Sequence, residues 1–391
     1  MTTLALAAFF FCLAVCVYVY FGYPVLIWTL SRLRPHEVRG GEALPSVSVI
    51  VPAHNEEAVI AEKLRNTLAL DYPPERLDVL VASDGSSDAT DRIVSGFPDG
   101  RVKLLRLDRK GKAHALNKAA AEARGEVLVF ADANAMLEPD VLRRLVWGFG
   151  DPEVGGICGN KKTRAAAAGD ATQKGENLYW RYDKWQKELE SRHGSIFAAD
   201  GTLYAVRASS FVPIADPAQA DDIAISARVV LGGHRLIYEP RAVAWDPAPV
   251  EGREEFWRKV RVTNHSLRAL LNLGPALWTS GFYSVELLSH KLIRHLVPLF
   301  LVPLFLSNVV LVGSHGLLAL SLALQLLFYG LALAGFVLRR RPLGHSRLLT
   351  VPYYFCFVNG AALMGFWSIL RGERVQAWTP RAGLRAQGEP Q

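Results

Sequence analysis

The chain has 391 residues, carries 44 Lys and Arg against 37 Asp and Glu (net +7), and is 50% hydrophobic. It is too long for one small domain and more apolar than an ordinary soluble one. The four cysteines (Cys12, Cys16, Cys158, Cys356) show neither disulfide-framework nor metal-site spacing, and no zinc-finger spacing or arginine-rich arm points to nucleic acid. A reducing, cytoplasmic setting is the simplest fit.

Residues 1–31 contain no charged side chain. The stretch 4–30 exceeds the roughly 20 residues a bilayer crossing needs. It lacks the basic start and small-residue cleavage site of a signal peptide, so a retained transmembrane anchor is expected, with Arg32 and Arg34 on its cytoplasmic side. Residues 45–250 alternate strand patterns (46–51, 77–82, 102–107, 127–131, 154–158, 235–238) with helical ones (56–70, 88–96, 113–124). That alternation predicts an α/β domain with a mainly parallel sheet covered on both faces.

From 251 to 295, Phe256, Trp257, Val260, Leu267, Leu270 and Leu271 recur at helical spacing among Arg253, Arg258, Lys259, Arg261 and Arg268, a pattern expected at a membrane interface. Residues 296–370 hold three more apolar runs, 296–313, 317–338 and 351–370. None contains Lys, Arg, Asp or Glu, which disfavours an ion-coupled transporter. The basic groups Arg39, Arg339-Arg340-Arg341 and Arg347 flank these spans, as cytoplasmic loops do. Counting spans puts the tail (371–391) outside, yet Arg371, Arg374, Arg381 and Arg385 prefer the inside, so one run is expected to be re-entrant or interfacial.

The chemistry concentrates at strand ends. Val127 to Ala131 runs into Asp132-Ala-Asn134; positions i and i+2 of a strand point the same way, which sets a carboxylate beside an amide oxygen at the carboxyl edge of the sheet. Two hard oxygen ligands there suit Mg²⁺ or Mn²⁺ holding a diphosphate. On the triplet alone, a cap for the next helix is an equal reading. The turn Pro52-Ala53-His54-Asn55-Glu56 after the first strand has the form of a nucleotide pocket at a helix start, with Asn55 a candidate N-cap; capping is the simpler local reading. Asp84 ends the second strand before Gly85-Ser86-Ser87, where a carboxylate can accept the N–H of uracil. Lys110-Gly111-Lys112, after the third strand, can grip phosphate or form a solvated loop.

Taken together these segments resemble the membrane-bound branch of family 2 glycosyltransferases, the cellulose synthase-like, hyaluronan synthase-like and poly-N-acetylglucosamine synthase-like enzymes. The resemblance rests on Val49-Ile-Val-Pro-Ala-His-Asn-Glu-Glu57, Ala82-Ser-Asp-Gly-Ser-Ser-Asp88, Lys110-Gly-Lys with Ala115-Leu-Asn117, and Phe130-Ala-Asp-Ala-Asn134, in that order and spacing. It covers roughly 45–270. It implies a GT-A fold, a UDP-sugar donor, a divalent metal and inversion at the anomeric carbon. Asp84 then matches a uracil-binding aspartate, Lys112 and Asn117 fall in the donor site, and Asp132 is the first acid of a metal-binding DxD motif whose second acid is Asn134 here. An amide oxygen ligates without charge, which lowers the expected metal affinity.

The stretch from Phe197 to Arg207 resembles the family's acceptor-side loop. Asp221-Asp222 matches its acidic pair, with Asp222 the expected base and Asp221 its support. Adjacent carboxylates allow cations to hold one while the other keeps a raised pKa. Arg258-Lys-Val-Arg261 is the nearest match to an arginine motif facing the leaving diphosphate, but Val262 stands where a tryptophan is expected, which counts against processive synthesis. The aromatic helix from Tyr179 to Trp185 can stack sugars, lie on lipid or simply pack.

The expected protein is an inverting, multi-pass glycosyltransferase of the plasma (inner) membrane, with its catalytic domain cytoplasmic and a polysaccharide or glycolipid acceptor. Single addition to a polyprenyl or other lipid is the first alternative. An inactive scaffold or nucleotide sensor among polysaccharide-secretion subunits is the second.

Overall fold

A computed structural model describes residues 2–164, 171–216, 219–247 and 252–373. Arg374, Arg381 and Arg385 lie outside them.

Strands β1 (Val47–Ala53), β2 (Leu77–Asp84), β3 (Val102–Leu107) and β4 (Val127–Ala131) run parallel, paired β1–β2, β1–β4 and β2–β3. β1 and β4 are buried at every position, as continuous apolar runs covered on both faces should be. One core cluster includes Val49, Val51, Val79 and Val129; the other, on the opposite face, includes Ile50, Leu80, Leu128 and Phe130.

Two strands lie outside the predicted set: β5 (Met136–Leu137) and β7 (Leu203–Arg207). β6 (Val154–Thr163) and β8 (Arg235–Asp246) are longer than predicted. The full order is β3-β2-β1-β4-β7-β6-β8-β5. β7 is antiparallel to both β4 and β6, and it carries the second half of the 197–207 stretch into the middle of the sheet. The result is a mixed, mostly parallel sheet flanked by helices. The helix after β1 begins at Ile60, not 56, because Asn55 adopts φ 54° and its side chain turns to the neighbouring loop.

Among the described residues, four helices are long and apolar enough to cross a bilayer: Thr2–Leu33, Phe282–Leu311, Gly316–Leu338 and Arg347–Leu370. The second starts fourteen residues ahead of the predicted run at 296 and contains Glu286, Lys291 and Arg294. The expectation that no span carries a charged residue is therefore corrected. The charges are tolerated because the helix packs on the sheet domain: His290 lies between Asp183 (3.1 Å) and Glu190 (2.5 Å), and Arg294 reaches Asp183 (3.4 Å).

The basic amphipathic helix, Arg253–Leu271, is packed between the domain and the last span. Asn264 donates to the Ser368 hydroxyl (2.7 Å). A side chain at Gly365 would come within 2.8 Å of Thr263, so the glycine permits the close approach. Trp257 and Leu271 remain exposed.

Candidate active site

The carboxyl ends of the parallel strands open into a cleft of about 880 Å³. Asp132 follows β4, and its backbone N–H donates to Thr202 O across from β7 (3.3 Å), so the sheet itself sets its position. Lys112 opens the helix Lys112–Glu122 behind Gly111, whose φ of 95° favours glycine. Its ammonium lies 3.0 Å from Asp132 Oδ1 and 3.2 Å from Asp221 Oδ2. Burial alone would lower the Lys112 pKa; the two carboxylates outweigh it and raise it.

Asn134 lines the same cleft, and its Oδ1 is buried with no hydrogen-bond partner. Behind the turn, fully buried Lys63 donates to Ala135 O (2.6 Å); burial brings its pKa down to about 7, against the pull of Asp132. Lys63 was not read from the sequence, and a lysine inside an amphipathic helix gives no signal of it.

Asp221 and Asp222 begin the helix Asp221–Leu231. Asp222 Oδ1 accepts from its neighbour Ile223 N (2.8 Å). Burial, and then the charge of Asp221, push the Asp222 pKa up to about 6. The two acids thus differ: Lys112 holds Asp221 as an anion partner, while Asp222 titrates near neutrality.

Asp200 also faces the cleft, its carboxylate accepting from Thr202 N (3.1 Å). Burial raises its pKa, but Lys161 and Lys187 overcome that and hold it low. Lys161 in turn pairs with Asp246 at 2.7 Å. Asp200 sits inside the 197–207 stretch flagged by resemblance; Lys161 and Asp246 gave no sequence signal, because their strands extend beyond the predicted ends.

Glu56, Lys112, Asp132, Asn134, Asp221, Asp222, Arg258 and Arg261 all line this one cleft. Arg258 does not stand clear in it. Its guanidinium pairs with Glu176 (2.9 Å) and Glu255 (2.6 Å), and Lys259 joins the same two acids. Pro52 lies below, beside Lys112, Asp132 and Asp221. Ala53 is buried at the end of β1.

Neither Pro52 nor Ala53 lines the main cleft, and three further residues expected at the donor do not reach it. Asp84 is 0% exposed, and its carboxylate accepts the backbone N–H groups of Lys110 (2.8 Å) and Gly111 (3.0 Å). It shapes the turn that carries Lys112. Asn117 exchanges two 2.8 Å hydrogen bonds with the backbone of Ile214. Asn55 caps no helix; its Oδ1 accepts from Ser87 N (2.8 Å) and ties the two loops together.

Helices complete the lining. Tyr179, Lys187, Phe197, Lys291 and His295 line the cleft, as do Tyr354, Val358, Met364 and Trp367 of the last span.

Residues 48–212 match the family model described as Glycosyl transferase family 2. The chain carries a family 2 glycosyltransferase domain. Among curated relatives it is 31% identical over 241 residues to "Probable glycosyltransferase YdaM" of Bacillus subtilis, covering 59% of this chain and 57% of that one. It is 32% identical over 191 residues to "Beta-monoglucosyldiacylglycerol synthase" of Trichormus variabilis, covering 48% and 41%. The chain thus matches about half the length of these relatives. The mannosyltransferase PcManGT from Pyrobaculum calidifontis, solved with GDP-Man and Mn2+, superposes with a TM-score of 0.67 at 24% identity, over 91% of this chain and 98% of that one. This likeness places the family 2 domain on a GT-A-like fold.

Proposed function

We propose that the protein transfers a sugar from a UDP-sugar to the hydroxyl of a membrane lipid, with inversion at the anomeric carbon. One observation carries the reading: a single cleft has Lys112, Asp132, Asn134, Asp221 and Asp222 at one end and the wall of a bilayer-length helix at the other.

The residues present suit a divalent cation. Asp132 and the unpartnered Asn134 oxygen would hold Mg²⁺ or Mn²⁺, which supplies positive charge against the diphosphate when bound. Among the described residues no three His, Cys, Asp or Glu side chains gather into a metal cage, so a cation held by Asp132 and Asn134 would need further ligands from the donor or solvent. Asp222 accepts the proton of the acceptor hydroxyl as its oxygen bonds to C1 and the C1–O bond to the diphosphate breaks. Lys112, 3.2 Å from Asp221, keeps that carboxylate in place. Arg261 faces the leaving group; Arg258 assists only by giving up a carboxylate partner. Asp84 takes the base only if the Lys110-Gly111 turn releases it. The glucolipid synthase among the relatives and the mannosyltransferase solved with a nucleotide sugar and Mn2+ support this reading. The catalytic domain is taken to face the cytoplasm, where nucleotide sugars are made.

A growing polysaccharide is the second acceptor class, but Val262, which lines the cleft, offers no aromatic platform for it. The deciding experiment measures UDP release from a panel of UDP-sugars by the full-length protein in lipid nanodiscs, with product analysis. One sugar added to a lipid supports the proposal; a ladder of sugars, or no turnover with any donor, removes it.

A further inference from the structure

The spanning helix Phe282–Leu311 brings four basic residues to the cleft or its margin, and their surroundings differ. His290 is held by Asp183 and Glu190, and Arg294 by Asp183 and Gln186. Lys291 makes no hydrogen bond or ion pair among the described residues; its ammonium lies 5.4 Å from the centre of the Phe197 ring. One turn on, His295 Nε2 is buried and has no partner. The Tyr354 hydroxyl, on the last span, also lines the cleft and is likewise buried without a partner among the described residues. A buried polar group left unpaired costs desolvation energy that a native fold rarely wastes. Two such groups lining one cleft from two helices, with the unpaired ammonium of half-buried Lys291 one turn from His295, indicate a ligand.

Position and charge narrow its chemistry. The helix makes a π-turn over Leu287–Leu292, a feature that recurs at functional sites. Lys112 is engaged by Asp132 and Asp221, whereas Lys291, on a different element, lines the cleft with no ion pair among the described residues, which leaves it open to an acceptor. Asp183 is already matched by Lys187 (3.5 Å), His290 (3.1 Å) and Arg294 (3.4 Å), and Lys291 forms no ion pair with it. Val358, Met364 and Trp367 continue the lining along the last span. A basic pocket between bilayer-length helices is the kind of place that takes a lipid phosphate.

We propose that Lys291 and His295, with the Tyr354 hydroxyl, hold the phosphate of an anionic phospholipid acceptor whose headgroup presents a free hydroxyl to Asp222 and whose chains lie along the last span. The inference rests on the reading of the cleft as a sugar-transfer site. The phosphate is not altered: the headgroup O–H gives its proton to Asp222 and its oxygen takes the sugar.

The test titrates the full-length protein in neutral detergent micelles with short-chain phosphatidylglycerol, with diacylglycerol of equal chain length, and with inorganic phosphate, following tryptophan fluorescence; UDP with Mn²⁺ is titrated in parallel. Phosphatidylglycerol is expected to bind most tightly. Lys291→Gln should weaken it about tenfold or more, the scale of a lost charged hydrogen bond. Lys291→Arg should retain it, His295→Gln should weaken it severalfold, and none should change UDP affinity. Equal affinity for diacylglycerol, or unchanged phosphatidylglycerol binding by Lys291→Gln, overturns the proposal. Inorganic phosphate binding as tightly as the phospholipid makes this a free-anion site and overturns the lipid assignment. Loss of UDP binding in a folded Lys291→Gln places the lysine on the donor side and overturns it too. Should Lys291→Gln fail to fold, His295→Gln is judged by the same criteria. Asp132→Ala separates the two readings: retained UDP binding in it would refute the donor site while leaving the phospholipid result standing.

Discussion

The two ends of the cleft are built on opposite principles. At the sheet edge the acids are held by fixed partners: Asp84 accepts from two backbone N–H groups, Asp132 accepts from the ammonium of Lys112, and Asp221 lies 3.2 Å from that same ammonium. These groups sit at strand ends and helix starts whose register the hydrogen-bond ladder sets, so they are preorganised for charge. The helical end is assembled from segments far apart in the chain, and polar atoms of His295 and Tyr354 remain unpaired there. The family match, 48–212, contains Asp84, Lys112, Asp132 and Asn134; Asp221, Asp222 and the bilayer-length helices that follow lie beyond it.

The comparison breaks most visibly at Asp222, where the two ends meet. Asp222→Asn removes the base while leaving a group of equal size, and general-base catalysis contributes roughly 10²–10⁴-fold. UDP release should fall by about that factor with UDP affinity retained. Normal turnover in this variant would move the base elsewhere. Next in size is Asp132→Ala, confined to the donor end. Losing a charged ligand should weaken metal-dependent UDP binding about a hundredfold, and also free Lys112 from one of its two partners. Calorimetric titration of UDP with and without Mn²⁺ measures this; an undiminished metal effect would remove Asp132 from the metal.

A smaller effect follows from pH. Asp222 is raised to about 6 by burial and by Asp221, so below that pH it is protonated and cannot accept the hydroxyl proton. The rate should therefore climb about tenfold per unit up to roughly pH 6 and then level off. Asp221→Asn removes a neighbouring negative charge, so its profile should shift to lower pH. A wild-type profile flat between pH 5 and 7 would contradict the environment described for Asp222.

The cleft positions of Asp132, Asn134 and Lys112 were legible in the sequence because their signals are local. Asp132-Ala-Asn134 and Lys110-Gly111-Lys112 each announce a strand end or helix start within a few residues. The central strands were legible for the same reason, being continuous apolar runs. β7 was not: Leu203 pairs with Ala131 of β4, 72 residues upstream (203 − 131), and Tyr204 with Cys158 of β6, 46 residues upstream (204 − 158), so the segment looked like part of a loop. The start of the second span at Phe282 was hidden because Glu286, Lys291 and Arg294 lower its hydropathy, and only their burial against the sheet domain makes them tolerable. Lys291, His295 and Tyr354 were invisible for that reason too: two helices must pack before they share a cleft.

The finest discrimination concerns Asn117, where family resemblance and geometry disagree. Resemblance puts it at the donor; the structure shows it clamping Ile214 by two 2.8 Å bonds, a few residues ahead of Asp221. Asn117→Ala leaves the Ile214 N–H and C=O unpaired, which should cost about 2 kcal/mol of stability, since each bond contributes roughly 1 kcal/mol. Asn117→Asp keeps the acceptor for the Ile214 N–H but cannot donate to its carbonyl, so it should fall between wild type and Ala. If the clamp is its role, thermal unfolding of the detergent-solubilised protein will rank the three in that order, while UDP affinity stays within about twofold. The reverse pattern, equal stability with weakened UDP binding, would return Asn117 to the donor and extend the donor end of the cleft beyond the Asp84 turn.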